Sequence, residues 1–388
     1  MDPVSITRCP DYSPAAVQRA VHDALAPLGG MSAFVSVGQR VFIKPNLLSK
    51  AEPERAVTTH PEVLRAVIRE VQACGAVSVS VGDSPGGRHS AGSIRGVWDV
   101  CGLTAVCAEE GADLVLLDDD VVRVPNPSGS ALYAYFNLGR GVVDTDVLID
   151  LPKFKTHGFM MFTGAVKNCF GCIPGLEKAQ FHLKVPDRDD FGEMLVDLML
   201  ACAPKLAIMD AIIGMEGEGP AGGTPKHVGA VIASADCVAL DVVASAIAGF
   251  DPMEVYTNKA AAGRGLGPKT ADGVEVLGTP WRELAPEDFE KPTRDLSRGM
   301  PPWLGHFARR AITSKPYLER RSQCTGCATC KTNCPVAAIE MVEQRPSFDY
   351  DKCIRCYCCQ ELCPPQVIGL KTPWLVRTLV ASGRGRRA

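Results

Sequence analysis

An α/β fold with a mostly parallel sheet and flanking helices, followed by a small cysteine-rich domain, is the architecture this sequence predicts. Three observations carry it. Strand-like and helix-like patterns alternate to about residue 290. A stretch rich in proline and basic residues interrupts them at 291–320, and nine of the 17 cysteines fall between Cys324 and Cys363. A length of 388 residues suits about two to three domains.

The alternation is read from periodicity. Arg40–Lys44 is a short β-branched run. After it, Pro61 opens PEVLRAVIREVQACG, with apolar residues at helical spacing and Gly75 as the stop. Further strands are expected at Val77–Val81, Val147–Leu151, Leu206–Met209 and Val228–Ala233, and helices near 14–27, 190–202 and 236–248. Strands that alternate with helices in this way build a largely parallel sheet. The expected division is an α/β domain at 1–290, a linker at 291–320 (Pro292, Pro301, Pro302, Pro316, Arg309, Arg310), a cysteine-rich domain at 321–370 and a tail at 371–388. The tail reads as an amphipathic helix lying on the protein or on a membrane surface, with docking on the protein preferred.

Composition excludes several classes. Hydrophobic residues make up 46% and charged residues 22%, as in soluble domains with a sizeable core. Net charge is −3, from 41 basic and 44 acidic residues, which gives no electrostatic reason to expect nucleic acid. The opening MDPVSITRCPDYSPAAVQ lacks the charged and apolar regions of a secretory signal. No apolar run reaches the roughly 18 residues of a membrane span. The expectation is a cytoplasmic, thiol-rich protein whose clustered cysteines bind metal.

The clustered cysteines have a specific spacing. Cys324-x2-Cys327-x2-Cys330-x3-Cys334-Pro335 is repeated as Cys353-x2-Cys356-x2-Cys359-x3-Cys363-Pro364. Each run matches the bacterial ferredoxin pattern, whose fourth cysteine serves the other cluster when two are present. Cys324, Cys327, Cys330 and Cys363 are therefore expected to hold one [4Fe–4S] cluster, and Cys353, Cys356, Cys359 and Cys334 a second. Structural zinc needs only four ligands. Cys358 is a ninth thiol outside the pattern, read as a spare residue or a substitute ligand.

Ligands of open α/β sheets bind beyond the carboxyl ends of the strands. Here those ends run into Lys44-Pro45-Asn46, Gly82-Asp83-Ser84-Pro85-Gly86-Gly87, Pro152-Lys153-Phe154-Lys155-Thr156-His157, and Asp210 followed by Gly214–Pro220. Neither a phosphate-binding P-loop nor a dinucleotide fingerprint is present. Singly, Asp83 suits an Asx turn and Lys44 a solvated end. Together Lys44, Lys153, Lys155, His157 and Lys167 are expected to form a cationic pocket, with Asn46, Asp83 and Asn168 as further substrate contacts. The stretch Thr163–Cys172, expected to start a helix that carries Lys167 and Asn168, adds N–H donors for an anion. Asp83, Asp210 and Glu216 are candidates at the rim for a divalent metal. Cys169-x2-Cys172 reads as a redox dithiol, half a metal site, or two buried apolar side chains. His60 and His182 cannot be placed.

The segments VFIKPNLL, TTHPEV, VGDSPGG, LPKFKTHGFMMFTGAVKNCFG and MDAIIGMEGEGP, ahead of the cysteine-rich module, resemble the family called domain of unknown function 362. The resemblance runs from about residue 35 to 370. Many members of that family carry a fused two-cluster ferredoxin tail, so it implies an architecture and iron–sulfur binding more than an activity. The preferred function is a ferredoxin-type oxidoreductase that takes electrons from a soluble partner through two [4Fe–4S] clusters to a small anionic substrate. In that reading Lys153, Lys155 and Lys167 hold the anion and His157 donates the proton. The alternatives are a non-catalytic electron-transfer or cofactor-maturation factor with a docking or ligand-sensing α/β domain, and an enzyme whose clusters are only structural. A further crevice cofactor is left open.

Overall fold

The computed structural model describes residues 2–87, 90–129, 133–286, 288–292, 313–371 and 373. Its main sheet takes strands β1 (Val4–Arg8), β2 (Arg40–Pro45), β3 (Ser78–Val81) and β4 (Asp113–Leu114) from the first part of the chain. A separate hairpin, β5 (Val121–Pro125) and β6 (Tyr135–Gly139), intervenes before β7 (Val147–Leu151), β8 (Lys153–His157) and β9 (Met161–Thr163). The sheet is completed by β10 (Leu206–Glu216), β11 (Thr224–Ser234) and β12 (Val276–Gly278). The strand order is β12-β1-β11-β10-β7-β2-β3-β4, with β8 beside β10 and β9 beside β8. β12–β1, β10–β7, β10–β8, β7–β2, β2–β3 and β3–β4 are parallel pairs. β1–β11, β10–β11 and β8–β9 are antiparallel. The expected mostly parallel α/β sheet is therefore present.

Strand alternation divides the core into two layers. Val41 and Ile43 of β2 face one cluster with Val147 and Ile149 of β7, covered by Val63, Leu64, Val67 and Ile68 of helix 61–73. Phe42 and Leu148 face the other, covered by Leu195 and Leu198 of helix 188–202 and Leu240 and Val243 of helix 237–247. Each such fully buried side chain contributes about 1.5–3 kcal/mol. Helix 61–73 begins with Pro61, and the His60 side chain accepts a hydrogen bond from Glu62 N at 3.2 Å.

Two segments differ from the sequence expectation. Pro152–His157 is not a loop: β8 pairs with β10 and β9, so its side chains are packed between sheet and helices, and all five residues of the strand are buried. Asp210 lies inside β10 and not at its end. Lys153 Nζ meets Asp210 Oδ2 at 2.7 Å, both side chains being 0% exposed. The Tyr12 hydroxyl donates to Asp210 Oδ1 at 2.8 Å and accepts from Lys153 at 2.8 Å, while His60 N donates to Asp210 Oδ2 at 2.9 Å. This network locks β8, β10, the N-terminal segment and the start of helix 61–73 together.

The cysteine-rich part contains two small antiparallel pairs. Strand β13 (Lys315–Leu318) pairs with β16 (Ile368–Lys371), and β14 (Ile339–Val342) with β15 (Arg345–Phe348). Part of the expected linker is thus a strand of this module. Its residues 293–312, with Pro301, Pro302, Arg309 and Arg310, lie outside the described residues, as does the tail beyond Pro373. Tyr357 anchors the module: its ring belongs to the large core cluster and its hydroxyl donates to Ser314 O at 3.1 Å. No helix among the described residues is long and apolar enough to cross a membrane.

Removing one partner of a buried ion pair leaves the other charge uncompensated. Lys153→Met is accordingly expected to lower unfolding stability by about 3–5 kcal/mol, checked by denaturant titration; a loss under about 1 kcal/mol would contradict the role assigned to the pair.

Candidate functional site

A crevice of roughly 600 Å³, counted to its open mouth, lies where the α/β part meets the cysteine-rich module. From the sheet side come Lys44, Asn46, Asp83, Ser84, Lys167, Asn168, Lys178 and His182, and from the module Cys358, Glu361 and Leu362.

Asn168 is the hub of its floor. Its side-chain oxygen accepts from Lys44 Nζ at 2.9 Å and Asn46 Nδ2 at 3.0 Å, and its amide donates to Asp150 Oδ1 at 2.7 Å. Lys44 Nζ also meets Asp83 Oδ1 at 3.1 Å and donates to Pro45 O at 3.0 Å. The other Asp83 oxygen accepts from Leu47 N at 2.6 Å. Burial disfavours the Lys44 ammonium, but Asp83 foremost holds its pKa above the usual lysine value. Burial pushes the neighbouring Asp150 up to about 8.

The strand-to-helix text fixes this floor by close approach. At Gly171 a methyl group would overlap the Asp83 carboxylate and lie 2.5 Å from Lys44 Nζ. The short helix Ala165–Asn168 carries Lys167 and Asn168. Its N-terminus is not an open anion site, contrary to expectation: Ala165 N and Val166 N donate to the Asp241 carboxylate at 2.6 and 3.0 Å. Burial raises Asp241 to about 7.

Lys167 has no hydrogen-bond or ion-pair partner among the described residues. Burial lowers its pKa, with Glu361 opposing. Lys178 donates to Ser84 O, and burial brings it down to about 8 despite Asp83. His182 is stacked on Phe191, 4.6 Å between ring centres, and burial followed by the Lys167 charge lowers it to about 3. Its Nδ1, together with Ser84 Oγ, is buried without a hydrogen-bond partner. Buried orphans of this kind call for a ligand or ordered water.

Of the expected site residues, Lys44, Asn46, Asp83, Lys167 and Asn168 line the crevice, while Lys153, Lys155 and His157 do not. Lys153 is committed to Asp210. Lys155 donates to Val57 O at 2.7 Å, and burial followed by the charge of Lys167 lowers it to about 7. His157 Nδ1 accepts from Phe159 N and Met160 N, and its Nε2 lies 4.0 Å from Glu361. Burial, then Lys167 and Lys155, push its pKa far below neutrality, so the expected near-neutral proton donor is instead a neutral ring. The expected carboxylate rim does not assemble: Asp83 pairs with Lys44, Asp210 with Lys153 and Glu216 with Lys226. Among the described residues no three ligating side chains converge for a single ion. Lys178 and Glu361 join the crevice although nothing in their spacing marks them, Ser84 joins it from the strand-end run 82–87, and His182 gains the place that the sequence leaves undefined. His60 stacks on Tyr12 at 3.6 Å, outside the crevice.

None of the 17 cysteines is in a disulfide. Cys169 and Cys172 are buried in the same core cluster as Cys202, which supports the packed reading. In the C-terminal module, Cys324, Cys327, Cys330 and Cys363 line one apolar pocket. Cys334, Cys353, Cys356 and Cys359 line another, whose wall also contains Cys358. Four thiols around an apolar void fit a [4Fe–4S] cube, and the fourth member of each set comes from the opposite run, as expected. Cys358 therefore borders both the second thiol cavity and the crevice.

Gly171→Ala is predicted to displace the Lys44–Asp83 pair and cost about 1–3 kcal/mol. Thermal unfolding checks this, with an unchanged melting temperature as the contrary result.

Comparison with known proteins places these features. Residues 41–246 match the model for the domain of unknown function DUF362, and residues 317–364 that for a 4Fe-4S dicluster domain. A thylakoid-associated protein of Synechocystis sp. is 38% identical over 290 residues, 74% of this chain and 87% of that protein. A component of an ion-translocating oxidoreductase complex of Methanosarcina acetivorans is 38% identical over 48 residues, 12% of this chain and 18% of its own length. Among solved structures, the lactate racemase apoprotein of Thermoanaerobacterium thermosaccharolyticum aligns with a TM-score of 0.35 at 15% identity, over 53% of this chain and 50% of the other. A protein from Thermotoga maritima aligns at 0.37 and 12%, over 68% and 59%. On the strength of the matched domain and the relative that spans most of both chains, the chain belongs to the DUF362 family and carries a C-terminal 4Fe–4S domain.

Proposed function

We propose that this protein is a cytoplasmic iron–sulfur oxidoreductase that reduces a small anion bound in the lysine-lined crevice. The observation that carries the reading is the shared wall: Cys358 borders both the crevice and the cavity of Cys334, Cys353, Cys356 and Cys359. In this reading each thiol set holds one [4Fe–4S] cluster, which when bound supplies single low-potential electrons. Cys327 is exposed, so the first set offers the docking face for a soluble electron partner.

The chain's own groups provide the rest. Lys44, Lys167 and Lys178 outnumber Asp83 and Glu361 by one charge at the crevice wall, which favours a singly charged ligand. Asn46, Ser84 and His182 add polar contacts that orient it. Lys178, poised near pH 8, replaces His157 as the proton donor and recovers its proton from solvent at the open mouth. Module residues Glu361 and Leu362 close one side and exclude water.

The test is reoxidation of the dithionite-reduced protein by a panel of small carboxylates and inorganic oxyanions, followed by cluster absorbance. One or more anions should accelerate it. Lys178→Met should slow that step about 10- to 100-fold, the loss of one charge-assisted contact, with the clusters still reducible. Lys178 is charged below its pKa and neutral above it, so the rate should fall as pH rises through about 8. No acceleration by any anion, with reducible clusters, would favour the electron-carrier alternative.

A further inference from the structure

The two thiol sets leave Cys358 without a ligand role, yet its position is matched in the other half of the module. Left-handed backbone recurs at equivalent places in the two runs: Gly326 and Arg355, Ala328 and Tyr357, Ala337 and Gln366. In this register Thr329 corresponds to Cys358. Each begins a one-turn helix, Thr329–Thr332 or Cys358–Glu361, and each directly precedes the third cysteine of its run. Thr329 Oγ1 lies 3.3 Å from Cys327 Sγ. In the second half Cys358 takes the equivalent place, two residues after Cys356, and both residues line the same thiol cavity. The module thus repeats one position, with a hydroxyl at the outer cavity and a thiol at the crevice.

We propose that Cys358 is a positioning residue that sets the reduction potential of the crevice-side cluster by donating an S–H bond to Cys356 Sγ, as the matching position of Thr329 beside Cys327 suggests. It rests on the reading that Cys334, Cys353, Cys356 and Cys359 hold a cluster. Reduction adds negative charge that spreads onto the ligand sulfurs, so a donor aimed at a ligand sulfur stabilises the reduced form and raises the potential. A thiol is a weaker donor than a hydroxyl, so the second cluster receives less of this stabilisation than the first. The placement has a consequence for the crevice. Cys358 is 6% exposed and borders the same space as the unpartnered His182 Nδ1 and Ser84 Oγ. A ligand satisfying those atoms lies against the residue that tunes its electron source.

The test uses the full chain purified without oxygen, with iron and sulfide analysis and a redox titration followed by electron paramagnetic resonance. Cys358→Ala removes the donor and Cys358→Thr installs the stronger one found in the other half. The expected result is unchanged iron in both variants. One midpoint potential moves more negative in Cys358→Ala and more positive in Cys358→Thr, while the other midpoint stays in place. Unmoved potentials, or equal movement of both, would overturn the assignment. Iron loss in Cys358→Ala would also overturn it, by making Cys358 a ligand. Wild-type protein with iron for a single cluster would instead refute the two-cluster reading beneath it.

Discussion

The buried ion pair of Lys44 and Asp83 is the constraint on which the crevice depends. A lysine ammonium 1% exposed is costly unless each proton finds a partner. Lys44 finds Asp83, the Asn168 oxygen and the Pro45 carbonyl. These partners come from the ends of β2 and β3 and from the turn after β9. Satisfying one charge therefore brings three separated stretches of chain to one point. Asp241 then fixes the 165–168 turn from the opposite helix layer.

The same economy explains why only part of the basic surface remains for a ligand. Lys153 and Lys155 are consumed by Asp210 and by a carbonyl. Lys167 and Lys178 project into the crevice, and their depressed pKa values reflect burial without full neutralisation. The module supplies the last wall, held by Tyr357 in the main core and by the Arg55–Gln366 hydrogen bond. The lysine-lined crevice and the second thiol cavity thus share a boundary at Cys358.

Much of this is legible in the sequence because it is local. Ferredoxin spacing needs only thiols at fixed intervals, and both sets assemble with the exchanged fourth cysteine. Lys44, Asn46 and Asp83 are readable because parallel strands deliver their ends to one edge. Lys153, Lys155 and His157 mislead because Pro152–His157 has the polarity of a loop yet pairs as a strand, which turns displayed side chains into packed ones. Lys178 and His182 lie on a helix whose facing surface depends on tertiary packing. Glu361 and Cys358 become crevice residues only when the module docks, which no local pattern encodes.

The central claim is that a charge in the crevice is felt by one thiol-bound centre more than by the other. The most direct measurement is a redox titration of the anaerobic protein, resolved by electron paramagnetic resonance, with and without saturating sulfate, phosphate and acetate. A bound negative charge opposes reduction nearby. The account predicts that at least one of these anions lowers a single midpoint potential and that Lys167→Met abolishes the shift. Potentials that are indifferent to every anion, or that move together, would contradict it.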